Sequence, residues 1–292
     1  MESAGEDGRT GNWGRWGEDD ERGTLNLITA EVRARAAAEV HSGRFVSLGL
    51  PVRPSPVLSG PFAPAEGELS PVRQTMVHTG VPAFADVISV TSHHPLMTHL
   101  DALSHQVLDG RVYPGRPAAS AAGPAGVSHG STTAFAAGIV TRGVLLDLAA
   151  EGPLPSGYSV TGADFDEAER RAGVRLEPGD ALVVRLGWSM VPDPSRPMPG
   201  ITADAVRWMH RRDVSLYAGD TGDAHPALDP AFPDPLHEIG LGRLGLPLVD
   251  GAELTELAAV CAELGRSGFL LAVAPPRIHG LTGVPVNPLA VF

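Results

Sequence analysis

Residues Gly138-Ile139-Val140-Thr141-Arg142-Gly143-Val144-Leu145-Leu146-Asp147-Leu148 form an almost continuous apolar run. A run of this length that is rich in β-branched residues predicts a strand buried inside a sheet. Similar runs at 181–186, 214–218 and 269–273 predict further strands, and residues 86–90 have the same character.

Helical patterns alternate with these runs, at 29–40, 161–172, 202–210 and 252–264. Thr29 is suited to capping the first of them, because a hydroxyl accepts a hydrogen bond from the free N–H groups of a first helical turn. The alternation predicts an α/β fold, with a mixed β-sheet or barrel-like core flanked by helices. Residues 1–12 are polar and glycine-rich and predict a loose arm, which leaves residues 13–292 as a single domain.

The charge of the chain excludes several classes of protein. Its 292 residues have a formal net charge of −12, and its 22 basic residues are all arginine. An acidic surface repels phosphate, so we expect no nucleic-acid partner. Without lysine the chain cannot form the Schiff base of pyridoxal-phosphate enzymes.

Other features of composition indicate a cytoplasmic protein. The only cysteine, Cys261, lies in a helical pattern and is expected to be a buried, inert thiol. The acidic residues 2–7 lack the apolar core of a signal peptide, and no apolar run is long enough to span a membrane.

Histidines are concentrated in one short segment. Four of the 11 fall between 93 and 105, and Asp101 lies among them; they are His93, His94, His99 and His105. On an extended strand His99 and Asp101 project from one face, and a helical turn after Asp101 aligns it with His105. Imidazole and carboxylate together suit Zn²⁺ or Mn²⁺. The alternative from spacing alone is a polar loop or a set of hydrogen-bonded core histidines.

Serine hydrolase chemistry is the main competitor, but the sequence lacks a Gly-x-Ser-x-Gly elbow. Ser104 adjoins His105 in sequence, and neighbouring residues on a strand point to opposite faces.

The stretch Thr98-His99-Leu100-Asp101-Ala102-Leu103-Ser104-His105 resembles the T-H-x-D-x-x-x-H core of the cyclase family, which includes kynurenine formamidases and isatin hydrolases. Further likenesses to its longer bacterial branch cover residues 13–292. They are the Trp16–Asn26 entry, the Asp109–Gly115 loop, Gly138–Asp147, Glu177–Asp180 and the closing Pro285–Pro288.

The resemblance implies a cyclase-like swivelling β/α fold and a divalent metal, Zn²⁺ or Mn²⁺. Carried over, it makes His99 and Asp101 ligands and His105 the general base or acid. His237 matches a later histidine ligand, and Asp250 falls near a later glutamate ligand.

Two positions depart from the family pattern. Pro95 stands where short members have their first ligand, so His93 or His94 would have to replace it from a shifted loop. Asp250 is one methylene shorter than glutamate. The departures leave open a site with one ion, two ions or none.

Substrate-binding residues are predicted at Trp16, Asp220 and Arg142. Trp13 and Trp16 are expected to cover a cleft edge or to form a subunit contact, which would suit a homodimer or higher homo-oligomer.

The function that the resemblance implies is an arylformamidase-like hydrolase of secondary metabolism, acting on the C–N bond of a small amide or lactam, or on a lactone. It would use metal-activated water and a histidine acid/base. The alternatives are a biosynthetic cyclase or lyase with an altered or absent metal site, and a binding protein without catalysis.

Overall fold

The computed structural model describes residues 11–56, 70–191, 193 and 195–292. Its strands, in chain order, are β1 (Phe45–Ser47), β2 (Ser55–Pro56), β3 (Val72–His78), β4 (Ala85–Val90), β5 (His99–Asp101), β6 (Arg111–Val112), β7 (Arg116–Pro117), β8 (Ala122–Gly123), β9 (Gly126–Val127), β10 (Ile139–Asp147), β11 (Ser159–Val160), β12 (Ala181–Arg185), β13 (Gly200–Ile201), β14 (Leu216–Gly219), β15 (Leu248–Asp250), β16 (Gly268–Val273), β17 (Gly283–Pro285) and β18 (Leu289–Val291).

The α-helices are α1 (Ala30–Ala37), α2 (Ala118–Ala121), α3 (Gly162–Ala172), α4 (Ala203–Arg211) and α5 (Thr255–Leu264). Tighter 3₁₀ turns cover Gly23–Leu27, Leu103–His105 and Thr132–Phe135, and a π-helix covers Leu236–Leu244.

One curled sheet of nine strands, in the order β1-β18-β16-β10-β12-β14-β15-β5-β17, forms the centre of the molecule. Strands β10, β12, β14 and β15 run parallel, and the strands on both sides of them are antiparallel. The predicted mixed sheet flanked by helices is therefore confirmed. Because β5 is antiparallel to β15, its first residue His99 lies beside Asp250, the last residue of β15.

Helices cover the sheet as the sequence predicts. The Thr29 hydroxyl accepts a hydrogen bond from the Val32 N–H at the start of α1, and α1 packs on β10 and β16. Helices α3 and α4 pack together through Phe165 and Trp208, whose ring centroids are 5.2 Å apart. Cys261 of α5 is buried, and burial raises the pKa of its thiol to about 12, as expected of an inert cysteine.

Some local predictions need correction. Asn12, placed in the arm by its polarity, is buried, and its amide donates to the Leu244 carbonyl. The glycine-, alanine- and serine-rich stretch 109–134, which predicts a long irregular loop, forms two short hairpins and the single turn α2. The proline- and glycine-rich stretch 51–72, which predicts another loop, contains β2 and the first residue of β3, and the sequence analysis assigned no strand at 72–78. Residues 57–69 of that stretch and residues 1–10 of the arm lie outside the described residues.

Within the described ranges, no helix combines the length and the apolar run needed to cross a bilayer.

Gly143 of β10 is a sensitive point in the core. A Cβ atom there would lie 2.3 Å from Cε2 of Phe269, its buried partner on β16. We expect Gly143→Ala to lower the free energy of unfolding by about 1–3 kcal/mol, because the ring cannot move without overpacking the core. Urea denaturation measures this, with Gly123→Ala, which meets nothing within 4 Å, as the control. Equal stability of the two variants would contradict this packing.

Candidate metal centre

Strand β5 fixes the first two site residues. His99 and Asp101 point from one face of the strand, and Leu100 between them points into the hydrophobic core. All three are buried. The predicted geometry, two side chains two positions apart on one face of an extended segment, is confirmed.

The 3₁₀ turn Leu103–His105 brings the third predicted residue back over the strand. The turn is held at both ends, because the Ala102 N–H donates to Thr282 and the Ser104 N–H donates to Gly130. The His105 ring is half-buried and has no hydrogen-bond partner within the described part of the chain.

His93 enters the site from the loop before β5, and His94 does not. Nδ1 of His93 lies 2.8 Å from Asp101 Oδ1, and its ring stacks on His105 with centroids 3.8 Å apart and an interplanar angle of 8°. His94 instead accepts a hydrogen bond from the Leu96 N–H at Nδ1. Of the two substitutes for Pro95, only His93 therefore lies in the cluster.

The absence of a side chain at Gly283 makes room for His93. A Cβ at this position would lie 2.3 Å from Cε1 of the His93 ring. Gly283 pairs with Asp101 across β5 and β17, so the ring lies directly over the strand neighbour of the central carboxylate. His93 Nε2 lies 3.1 Å from the Thr282 hydroxyl, which fixes the ring orientation.

Asp250 and His237 approach Asp101 from the opposite side. His237 Nε2 lies 3.5 Å from Asp101 Oδ2 and 3.8 Å from Asp250 Oδ2. His237 Nδ1 donates to Asp223 Oδ2 at 2.8 Å, and the Asp223 carboxylate also accepts the backbone N–H groups of Leu236 and His237. Asp223 therefore holds both the start of the π-helix and the imidazole that the helix presents.

Electrostatic interactions keep Asp101 and His237 ionised. Burial alone would raise the pKa of Asp101, but the imidazoles of His237 and His93 outweigh it and hold this pKa well below its ordinary value. Burial would likewise lower the pKa of His237, but the carboxylates of Asp101 and Asp223 raise it well above its ordinary value. A positive charge is thus favoured where His237 Nε2 meets two carboxylate oxygens.

The pKa values of His105 and Asp250 are shifted in the direction that favours their neutral forms. Burial lowers the pKa of His105 to about 4, and the attraction of Asp101 only partly offsets it. Burial raises the pKa of Asp250 to about 6, although His237 acts in the opposite direction. At neutral pH the His105 imidazole therefore has a free lone pair.

The donor set fits a divalent metal ion. Buried atoms without a well-aligned hydrogen bond cluster at this point, although two of them, His93 Nδ1 and Asp101 Oδ1, lie 2.8 Å apart. They are His93 Nδ1, both carboxylate oxygens of Asp101 and Asp250 Oδ1. Burying an isolated carboxylate destabilises a folded protein by several kcal/mol, on the order known for buried ions, unless a cation or hydrogen bonds compensate its charge. Two groups of three have ligand atoms within 4.8 Å of one another, namely His93-Asp101-His105 and His99-Asp101-Asp250.

The tautomer of His99 also suits a ligand. Its Nδ1 lies 2.8 Å from the Met97 carbonyl oxygen, which only accepts, so Nδ1 carries the proton. The lone pair on Nε2 then faces Asp101 at 3.6 Å. Backbone carbonyls commonly orient metal-binding histidines in this way.

A cavity of about 250 Å³ opens beside His237 and Asp250. The rest of its described lining consists of Asp223, His225, Asp234 and four uncharged residues, which are Gln106, Met190, Met198 and Gly222. The cavity gives a small molecule access to one side of the cluster.

Comparison with known proteins identifies the family to which this fold belongs. The Cyclase family model, described as "Putative cyclase", matches residues 46–226, which is more than half of the chain. The chain belongs to the Cyclase family. The crystal structure of a novel cyclase is 31% identical, with a TM-score of 0.81 over 97% of both chains.

Proteins of more distant sequence share the fold. Isatin hydrolase A from Ralstonia solanacearum is 21% identical, with a TM-score of 0.63 over 90% of this chain and 96% of that one. Isatin hydrolase A from Labrenzia aggregata, bound to benzyl benzoate, is 22% identical, with a TM-score of 0.61 over 91% and 98%. A search of curated proteins found no match.

The three predicted substrate-binding residues do not line this cavity. Arg142 pairs with Asp180 at 2.6 Å, at the amino end of the parallel strands. Trp16 packs on the core beneath the Arg15 guanidinium and does not line the cavity. The carboxylate of Asp220 accepts three N–H groups of residues 186–188, and it faces a neighbouring cavity of about 170 Å³.

Asp223 and Gly283 are the site residues that the sequence analysis did not assign. Asp223 lies in a polar run that also reads as an ordinary Asp/Gly turn, and nothing local links it to His237, 14 positions later. A glycine carries no chemical signal, and only the fold shows that Gly283 faces the His93 ring.

We expect His93→Ala to lower the affinity for Zn²⁺ or Mn²⁺ by at least tenfold, because it removes one donor from the cluster. Gly283→Ala should act in the same direction by displacing the ring. His94→Ala, the neighbouring histidine outside the cluster, is the matched control. Equilibrium dialysis with elemental analysis measures all three, and equal losses for His93→Ala and His94→Ala would contradict the assignment.

Proposed function

We propose that this cyclase-family protein is a metal-dependent hydrolase that opens a small, uncharged cyclic amide or ester by adding water. The observation that carries the proposal is the buried Asp101 carboxylate, which accepts no well-aligned hydrogen bond and lies among the imidazoles of His93, His99, His105 and His237. Such a cluster is suited to holding a cation beside an open cavity.

The ligands in this proposal are His93, His99, Asp101, His237 and Asp250, with Zn²⁺ or Mn²⁺ as the ion. When bound, a divalent ion polarises a substrate carbonyl and makes water acidic enough to attack it near neutral pH. Asp223 and the Met97 carbonyl orient two of the imidazoles, and loss of such outer partners commonly costs about 10–100-fold in metal affinity or activity.

His105 is the proton carrier in this proposal. Its imidazole is neutral at neutral pH, so it can accept the proton that the attacking water loses. Because its pKa is about 4, the resulting imidazolium is a strong acid and readily returns the proton to the leaving nitrogen or oxygen. Its position among the cluster atoms also makes it a candidate ligand, and the experiment below separates the two roles.

The cavity favours an uncharged substrate. Its described lining includes no arginine, the chain has no lysine, and residues 57–69, outside the described ranges, have no basic residue in their sequence. Apart from the His237 imidazolium at the metal centre, the charged groups of the described lining are the carboxylates of Asp223, Asp234 and Asp250, which disfavour a carboxylate on the substrate. The volume of about 250 Å³ suits a molecule of one or two rings, below the roughly 300–1,000 Å³ of drug-sized sites. Isatin, which names two similar structures, is such a lactam.

The main alternative is a cyclase or lyase that works without a metal. In the sequence its support was Pro95, which replaces a family ligand. His93 approaches Asp101 from that loop, so the substitution does not remove a donor from the cluster. This placement supports the hydrolase proposal over the alternative.

Ring opening tests the proposal directly. Protein loaded with Zn²⁺ or Mn²⁺ is mixed with isatin and with an isatin that carries a carboxylate on its benzene ring, and the gain of one water is followed by mass spectrometry. We expect turnover that stops with chelator and at least a tenfold higher kcat/KM for the uncharged compound. Turnover that survives chelator would favour the metal-free alternative, and a preference for the charged compound would contradict the cavity argument.

In the same assay His105→Ala should lower kcat by about 10²–10⁴-fold, the range of general acid–base catalysis, and leave the metal content unchanged. Loss of metal in this variant would show that His105 is a ligand rather than the base.

A further inference from the structure

The segment 222–237 forms a common wall between two cavities. Asp223 and Asp234 line the cavity beside the candidate metal centre. Their chain neighbours Ala224 and Pro235 line a second cavity, of about 260 Å³. The described linings of the two cavities have no residue in common. Because neighbouring residues of the segment line different cavities, a molecule in the second cavity contacts the back of the wall that carries Asp223.

The second cavity is largely apolar. Its apolar side chains include Ile201, Leu228, Phe232, Pro233 and Pro235, and its polar ones are Ser159, Thr202, Asp204, Arg207 and Asp229. Its volume is slightly below the roughly 300–1,000 Å³ of drug-sized ligand sites, so it suits a molecule built on one ring. The apolar wall favours a hydrocarbon body for that molecule, because removing apolar surface from water is favourable.

Arg207, on helix α4, is the one basic residue in the described lining of this cavity. It is partly buried, and its guanidinium carbon lies 5.3 Å from the centroid of the Phe232 ring. It forms no ion pair and donates no hydrogen bond to any residue in the described part of the chain. A guanidinium has five N–H donors in a planar fork, so these donors are available to a ligand in the cavity.

The two acidic residues of the lining bind backbone groups instead. Asp204 accepts the Gly162 N–H at 2.9 Å, and Asp229 accepts the Ala231 N–H at 2.9 Å. Neither carboxylate pairs with Arg207, although Asp204 lies only three positions before it on α4. In a chain with a net charge of −12, a cation that lines a cavity without a counter-ion favours an anionic ligand.

We propose that the second cavity binds a small aromatic carboxylate and that this ligand regulates the metal centre. Two N–H groups of Arg207 pair with the carboxylate, the geometry in which arginine recognises such anions, and the ring packs on Phe232 and Leu228. A carboxylate fits better than a phosphate, because the nearby Asp204 and Asp229 repel a second negative charge. The binding part of this proposal does not rest on the hydrolase function, whereas the regulatory part rests on the metal centre proposed above.

Regulation acts through the common wall. On the metal side, Asp223 accepts three N–H groups, from the backbone of Leu236 and His237 and from the His237 ring. On the other side, Ala224 packs so closely on Gly200 that a Cβ atom added at Gly200 would lie 2.5 Å from the Ala224 Cβ. A ligand that contacts Ala224 binds this position of the wall best, so it stabilises the conformation in which Asp223 orients His237. The affinity for metal should rise as a result.

Ligand-observed NMR titration of the metal-depleted full chain with phenylacetate tests the binding site. We expect one saturable site in the wild type, and affinity lower by about tenfold or more for Arg207→Met and for the uncharged probe phenylacetamide, because each loses the charged hydrogen bonds. Leu228→Trp, which fills the cavity and keeps Arg207, should weaken binding as well. Arg211→Met, at an exposed arginine one turn later on α4, is the matched control. Circular dichroism verifies folding. No binding to the wild type, or equal affinity in Arg207→Met, would overturn the proposal.

The affinity for Zn²⁺, measured by isothermal titration, tests the regulatory part. Saturating phenylacetate should tighten Zn²⁺ binding to the wild type by about fivefold or more, the lower end of typical coupling between sites, and should change nothing in Arg207→Met. The variant also controls for zinc that phenylacetate itself binds. Because coupling is reciprocal, Zn²⁺ should tighten phenylacetate binding by the same factor. An unchanged or weaker zinc affinity in the wild type would overturn regulation, whereas no zinc binding under either condition would contradict the metal centre itself.

Discussion

A carboxylate buried among imidazoles is the constraint on which the site depends. Asp101 is fully buried, neither of its oxygens accepts a well-aligned hydrogen bond from a described residue, and its close neighbours are imidazole nitrogens, with His93 Nδ1 at 2.8 Å and His237 Nε2 at 3.5 Å. Burying such a charge destabilises the folded protein by several kcal/mol, on the order known for buried ions, unless a positive charge compensates it. In the protein alone His237 supplies that charge as imidazolium, since its pKa is raised by Asp101 and Asp223. A divalent ion at the same point would replace this proton and satisfy more of the unpaired atoms.

The sheet makes this arrangement rigid. Strand β5 lies between β15 and β17, and its register fixes Asp250 beside His99 and Gly283 beside Asp101. The site residues therefore come from paired strands and from short turns held by backbone hydrogen bonds, such as Ser104 to Gly130. The one proposed ligand on a helix, His237, is fixed by Asp223. A rigid cluster of this kind holds a cation position without needing the cation to order it.

Local patterns in the sequence predicted the elements and the centre of the site, and only the fold could supply the rest. The buried run at 138–148 and the pair His99 and Asp101 follow from periodicity, because strand geometry places alternate residues on one face. The choice between His93 and His94 depends on turns of the 91–98 loop and on room above Gly283, which no spacing rule contains. Arg142 shows the same limit, because a cation in a strand is equally suited to a substrate carboxylate and to an ion pair, and only the fold places Asp180 beside it.

The same limit applies to the hairpin of β3 and β4. Val87, Ile88 and Val90 have the pattern of a strand, and the sequence predicted one there. It could not show that both faces stay uncovered within the chain, because that depends on where the rest of the fold lies. Asp223 is a similar case, since only the fold brings its carboxylate to His237.

The affinity of Asp101→Asn for metal tests the central claim most directly. Isothermal titration of Zn²⁺ and Mn²⁺ compares three metal-depleted proteins under one condition. They are the wild type, Asp101→Asn and the control Asp229→Asn, which changes an exposed aspartate. If Asp101 is the shared anchor of the cation position, its amide variant loses at least 100-fold in affinity, and metal no longer raises its unfolding temperature, whereas the control behaves as wild type. If Asp101→Asn folds and binds metal with wild-type affinity, Asp101 is not the group around which the site is built.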